Sequence, residues 1–292
     1  MHEYLKAVGF SDINKQDMKK LLDDVMENAT FIDNTIGSDG TEVIQMKKNY
    51  GENIGIAVCG TYNEDGDFSF EYYYPYFDGT GISSREKVET QRFSDREAYA
   101  VVCDDINVGV TLIYYMQNIC EYLKETKNKR IETMNVGTTL AALSVEGMIL
   151  LPVKKTEKSK NFSKKKNNER NNLIAAAKAG DEDAIESLTL EDIDTYSILS
   201  RRVMREDILS IVDTYFMPYG VESDQYSIMG EILNYYHTTN TLTGEKIYIL
   251  TVDTNGLTYD VCINEKNLYG QPEIGRRFKG NIWMQGKLNF DM

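Results

Sequence analysis

Asn255-Gly256 stands between two alternating apolar runs, 246–253 and 257–263, and commits this stretch to a tight antiparallel hairpin. Both central residues of such a turn need positive φ, which Asn and Gly adopt at least cost. Thr243-Gly244 marks the preceding turn, so strands are expected at 226–236, 246–253, 257–263 and 277–290. Gly230, Gly280 and Gly286 fall inside these long strands and favour strong curvature. The expectation here is a small curved β-barrel of the OB type.

The same alternation and turn chemistry predict strands at 42–48, 54–62, 68–77, 87–93 and 98–104, with 63–67 as a hairpin turn. Before them, Met18, Leu21, Leu22, Val25 and Ala29 recur at helical spacing behind Asn14, a suitable N-cap. A second helix is expected over 107–125, on Leu112, Ile113, Met116, Ile119, Cys120 and Leu123. Lys124, Lys127, Lys129 and Arg130 suit the negative end of its dipole. The runs 138–145 and 148–153, divided by Glu146-Gly147, read as a closing hairpin. Strands met in sequence by turns, with helices at the ends, indicate an antiparallel α+β domain.

A basic stretch separates these two halves. Residues 154–172 hold eight bases and two acids and one large apolar residue, Phe162, which is a linker composition. Both flanks are acidic, and the chain's net charge is −14. At 292 residues two domains are expected: an antiparallel α+β domain at 1–153, a basic linker at 154–172, and helices followed by the curved barrel at 173–292. In the last segment, 173–179 reads as a helix ended by Gly180. Asp181 then caps a short helix to Leu188, and Thr189 begins another. Residues 205–217 fit helix and strand equally.

Charge and motifs narrow the function. A surface with pI near 4.7 repels nucleic acid and anionic lipid over most of its area. No apolar run approaches the roughly 18 residues of a membrane span, and no secretory signal opens the chain, so a soluble cytoplasmic protein is expected. Cys59, Cys103, Cys120 and Cys262 lack the close pairs of a zinc site, and no metal or cofactor is expected. His2 and His237 stand apart from any nucleophile motif. Gly270 to Arg277 shares phosphate-loop spacing but carries Pro272 and leads into a strand, and a calcium loop counted from Asn63 would need glycine and glutamate where Phe68 and Tyr74 stand. No catalytic residue is therefore assigned, and enzyme activity is not the favoured reading.

What stands out is aromatic. Of 20 tyrosines, Tyr72, Tyr73, Tyr74 and Tyr76 crowd one strand, which favours core on one face and an interface on the other. In the last strand Phe278, Ile282, Met284, Leu288 and Phe290 share one parity and should face the core. The opposite parity sets Trp283, the only tryptophan, in a row with Arg277, Lys279 and Lys287. These four are the candidate binding residues, with Trp283 covering a domain or protein contact and the cations meeting acidic groups around it.

The opening Met1 to Ser11, the stretch Asp213 to Gly220 and the stretch Gly275 to Gly286 resemble a family of uncharacterised proteins from Clostridia and related Firmicutes. That resemblance implies a bacterial, cytoplasmic protein and assigns no activity or ligand. The function expected is a non-catalytic interaction or scaffold protein whose partner is another protein or a second copy. Two alternatives are an enzyme with a carboxylate site at the domain junction, and a single-strand nucleic-acid binder using the barrel.

Overall fold

Strands dominate this mixed α+β chain, and among the described residues they gather into two sheets. The computed structural model describes residues 2–62, 66–105, 107–127, 136–153, 169–170, 172–174, 176–177, 180–204 and 208–290. The first sheet is antiparallel, in the order β1 (Phe31–Ile36), β2 (Glu42–Gly51), β3 (Ile54–Tyr62), β4 (Phe68–Phe77). Helix α1 (Lys15–Glu27) buries Met18, Leu21 and Val25. Its expected cap is in place, with the Asn14 side chain accepting from the backbone N–H groups of Gln16 and Asp17 at 2.9 and 3.0 Å. A 3-10 helix, Glu3–Val8, was not expected from periodicity.

The second sheet contains β5 (Val88–Arg92), β6 (Tyr99–Cys103), β7 (Leu112–Met116), β8 (Gly137–Leu150), β9 (Tyr215–Pro218), β10 (Gln225–Thr239), β11 (Lys246–Thr254), β12 (Leu257–Asn264), β13 (Leu268–Tyr269) and β14 (Arg277–Asn289). Strands β10, β11 and β12 form an antiparallel meander, with Asn255-Gly256 at its last turn. Asn255 and Gly256 take φ of 58° and 99°, as the hairpin requires. Strand β14 pairs with β10 on one edge and with β8 on the other. The free edge of β8 then runs parallel to β12 at Ala141–Ser144. Five strands, β8, β12, β11, β10 and β14, thus close into a ring.

That ring corrects the division into two bodies. Strand β8 lies before residue 154 and the other four ring strands after residue 173, so 1–153 and 173–292 share one sheet. The linker composition at 154–172 says nothing about pairing between its flanks. Of that stretch, 154–168 and 171 lie outside the described residues, as do 63–65, Lys129, Arg130 and 205–207.

Three local expectations also change. The run at 112–116 is strand β7 rather than helix, because Leu112, Tyr114 and Met116 point into one core and Tyr115 into another. A short run buried on both faces carries no distinguishing period. Helix α2 begins only at Ile119 and ends at Lys127. Glu146-Gly147 is not a turn but the interior of β8; a Cβ at Gly147 would stand 2.4 Å from the Phe278 ring. Glycine there permits close approach of a neighbouring ring. Finally, the two short helices expected after Asp181 are one continuous helix, α3 (Glu182–Val203).

Two cores follow from the ring. Leu140, Ala142, Ile228, Leu250, Val261, Ile282 and Met284 come alternately from all five strands and fill its interior. Residues of opposite parity, Ala141, Leu143, Ile249, Cys262 and Trp283, face outward and join a second core with Tyr4, Leu5, Val8, Leu21 and Ile56. The 3-10 helix is fastened there by side chains reaching its carbonyls. Asn240 donates to Val8, Thr243 to Gly9 and Asn264 to Lys6 at 2.8, 2.7 and 3.2 Å. Gly9, at φ 93°, ends this helix where a Cβ would meet Asn240 at 2.7 Å. Among the described residues no helix is long and apolar enough to cross a membrane.

Expressed alone, 173–292 lacks the strand that closes the ring, and it is expected to give no cooperative melt or dispersed amide spectrum. Co-expression with 1–153 should restore both. A cooperatively melting 173–292 fragment would refute the shared ring.

Candidate functional site

The register of β10 against β14 sets Gln225 opposite Trp283. Asp224, one residue earlier, is therefore within reach of the indole. Its backbone carbonyl accepts from the Met284 N–H at 2.9 Å, and its carboxylate accepts from Trp283 Nε1 at 2.7 Å. Strand alternation turns Trp283 to the outside of the ring, as the parity of the last strand predicted. There the entry to the 3-10 helix covers it. The His2 ring lies 4.6 Å from the indole, and those of Tyr4 and Tyr115 lie 5.5 Å away. Trp283 keeps only 6% of its surface exposed.

Strand β4 supplies the facing wall. A register shift opposite Cys59 and Gly60 puts a bulge just before Tyr72. The Tyr74 ring meets Tyr115 edge-on at 4.8 Å, and the Tyr73 hydroxyl accepts from the His2 backbone N–H at 3.2 Å. The Tyr72 hydroxyl donates to the Glu97 carbonyl at 3.0 Å, tying the β5–β6 turn to this wall. Glu97 itself is buried, paired with Arg92 at 2.9 Å and accepting from the hydroxyls of Ser38 and Tyr99. The turn it holds carries Phe93 and Arg96. The Arg96 guanidinium rests 5.3 Å from the Tyr72 ring and 5.6 Å from that of Phe93.

These walls enclose a cavity of about 340 Å³, lined by seven aromatic side chains together with His2, Glu3, Arg96, Glu222, Asp224 and Gln225. Three carboxylates face one guanidinium. Burial, helped by the charge of Arg96, pushes the His2 imidazole down to about 4, so it is neutral at pH 7. Burial also raises the Asp224 carboxyl, against the opposing pull of the Trp283 N–H. The negative faces of the rings and the carboxylates all favour a positively charged guest. Among the described residues no group of three His, Cys, Asp or Glu stands together to hold a metal. The four cysteines are buried, with the thiols of Cys59 and Cys103 pushed up to about 11 and that of Cys120 to about 12. Thiols held that high are inert.

Of the four candidate residues, only Trp283 reaches this pocket. Arg277 is buried and donates to the carbonyls of Leu151, Leu209 and Val212 at 2.7–3.0 Å, which fastens β14 to the segment before β9. Lys287 pairs with Asp78 at 2.6 Å, beside the buried Lys47, at the far end of the strand. Lys279 stays half-exposed on β14 and lines no part of the pocket. At about 3.3 Å per residue the row from Arg277 to Lys287 spans roughly 33 Å, too long for one contact. Its middle is covered by the chain's own first residues. The pocket's other components, His2, Phe93, Arg96, Tyr115 and Asp224, carry no local signal; only the tyrosine run pointed here.

Trp283→Ala removes the largest side chain of the second core and should cost about 3 kcal/mol of stability, read by denaturant melts. Acid should loosen the same contact. His2 has its proton affinity lowered by folding, so its contribution is complete above 6.5 and is lost as pH falls toward 4. The melting temperature of the native chain should therefore fall across that window more steeply than that of His2→Phe.

No curated protein and no solved structure matches the chain. The family model described as a domain of unknown function, E. rectale gene description (DUF3881), matches residues 5–286, in keeping with the resemblance carried by the first and last segments. The match runs through both cores and every strand of the ring, and the chain belongs to that family.

Proposed function

We propose that this chain is a non-catalytic binding protein whose recognition site is the aromatic pocket around Trp283. The observation that carries this reading is the lining itself, seven aromatic side chains with an acidic rim around about 340 Å³. That size lies at the small end of ligand pockets, and aromatic walls with a few fixed polar groups are the usual composition of such sites. Rigid aromatic rings also make good anchors for a partner's side chain. Part of the tyrosine load of the sequence goes here, since five of the seven rings are Tyr4, Tyr72, Tyr73, Tyr74 and Tyr115.

The ring of β8, β12, β11, β10 and β14 is read as an OB-like barrel on its five strands, its three-strand meander and its single parallel contact. OB barrels hold oligonucleotides on the face of the second and third strands of that meander. Here that outer face, with Ile247, Ile249 and Cys262, is buried under the first residues of the chain, and Cys262 donates to the Ala7 carbonyl. With Arg277 and Lys287 of β14 also engaged, this weighs against single-strand binding and for a pocket elsewhere. One observation favours catalysis instead. Asp224 is a carboxyl raised by burial inside a cavity, the profile of a general acid. Its oxygen is already held by Trp283, and His2, also in the lining, is neutral and packed on the indole at 4.6 Å.

Incubation with a fractionated bacterial metabolite extract tests both readings. A bound fraction should raise the melting temperature by several degrees, reversibly on dialysis. The effect should vanish in Tyr72→Ala, and mass spectrometry should return the ligand unaltered. A ligand returned chemically changed by the native chain and unchanged by Asp224→Asn would make the protein an enzyme.

A further inference from the structure

We infer that the pocket around Trp283 takes the alkylammonium group of an organic cation, a quaternary or methylated amine; this rests on the reading of the pocket as a binding site. Three observations converge on that chemistry. The wall is a continuous run of rings, with Trp283 and Tyr115 5.5 Å apart, Tyr115 and Tyr74 4.8 Å apart and Tyr74 and Tyr72 6.5 Å apart. Ring faces carry the negative part of the quadrupole, which draws a positive charge toward them. Among the described lining residues the rim sets Glu3, Glu222 and Asp224 against Arg96, a balance that favours a cation over an anion.

The third observation is a cation already seated on the wall. Arg96 lays its guanidinium on Tyr72 and Phe93, with its side chain 41% exposed and its only ion pair among the described residues, at 3.5 Å, going to the exposed Asp95. It acts as a resident stand-in for the guest. A weakly hydrated cation on an aromatic face is the same pairing that an alkylammonium would make. Because Arg96 sits on a turn and is held by little else, a guest can share the wall or displace it. Inorganic cations are a poorer match. They prefer converging oxygens, and the described residues offer no such cluster. The group can belong to a free small molecule or to a methylated lysine of a protein, and the chemistry is the same in both.

Trp283 is the only tryptophan, so its fluorescence reads this pocket alone. The native chain is titrated with choline, with a peptide bearing trimethyl-lysine, and with 3,3-dimethylbutanol, the uncharged isostere of choline. A saturable change is expected with at least one cation, with the uncharged isostere at least about tenfold weaker. Response to choline assigns a small molecule, and response to the peptide alone assigns a protein side chain; either supports the inference. Tyr72→Ala should weaken binding about tenfold, and Arg96→Gln, by removing the resident competitor, should tighten it about two- to fivefold. Should Tyr72→Ala fail to fold, the exposed Glu222→Gln replaces it and should weaken binding of the cation while leaving the isostere unchanged. Equal binding of cation and isostere overturns the cation chemistry and leaves a binding pocket standing. No saturable change with any cation, alongside a thermal shift from the metabolite extract, also overturns it and again spares the broader reading.

Discussion

Everything in this fold depends on β8 finding β12 on one edge and β14 on the other. A strand paired on both sides has no open edge, and four consecutive residues, Leu140 to Leu143, are buried. Leu140 and Ala142 complete the interior of the ring, while Ala141 and Leu143 form part of the floor on which the 3-10 helix and α1 rest. One short apolar segment therefore belongs to both cores. Its partners lie more than a hundred residues away, so the loop between them must be closed before either core is complete. Such long-range pairing slows folding and is rewarded only when the whole ring forms.

Polar groups within this assembly are used as fasteners between layers. Asp260, on β12, accepts from the Thr80 N–H and hydroxyl and from Thr251, which pins the loop after β4 against the ring. Gln117 and Gln285 bond each other at 2.7 Å and reach the carbonyls of Phe77 and Pro75, joining the first sheet to β14. Arg277 gives its guanidinium to three carbonyls and to the Met229 sulfur. Each buried group is costly alone and stabilising when satisfied, so these contacts fix the register of the layers more than they add to the total stability. The Trp283–Asp224 pair belongs to this set, with one difference: it borders a cavity. There the same chemistry that locks a layer also presents a carboxylate beside an indole.

How far the sequence revealed all this varies with the range of the forces involved. The cap at Asn14, the strands near 54–62, 68–77 and 246–263, and the Asn255-Gly256 turn are set by local chemistry, and they were legible within a residue or two. Strands β7 and β8 were misread because both are buried on two faces, which erases the alternation that identifies a strand. The division at 154–172 failed for a related reason, since linker composition reports solvent exposure and not which flanks pair. At the site, parity correctly turned Trp283 away from the ring interior. Its acidic partner was not visible, because Asp224 lies 59 positions away and only the β10–β14 register brings it near. Of the cations expected around the indole, Arg277 went instead to carbonyls and Lys287 to Asp78, and Lys279 stays half-exposed on β14.

The pocket's selectivity, finally, follows from setting its two ingredients against each other. Carboxylates alone attract any cation, and a chain of net charge −14 does so at long range. Aromatic faces alone attract any flat apolar group. Together they discriminate by hydration. A small inorganic ion would have to shed water that ring faces replace poorly, whereas a methylated ammonium is weakly hydrated and gives up little on entering. A neutral hydrocarbon of the same shape gains the walls but not the rim. Arg96 meets both conditions from within the chain, carrying diffuse charge on a planar group, and it occupies the aromatic wall at 5.3 Å. A lysine at the same place would hold a compact, strongly hydrated charge and would gain less from Tyr72 and Phe93, so the choice of arginine reports what kind of cation this wall accepts.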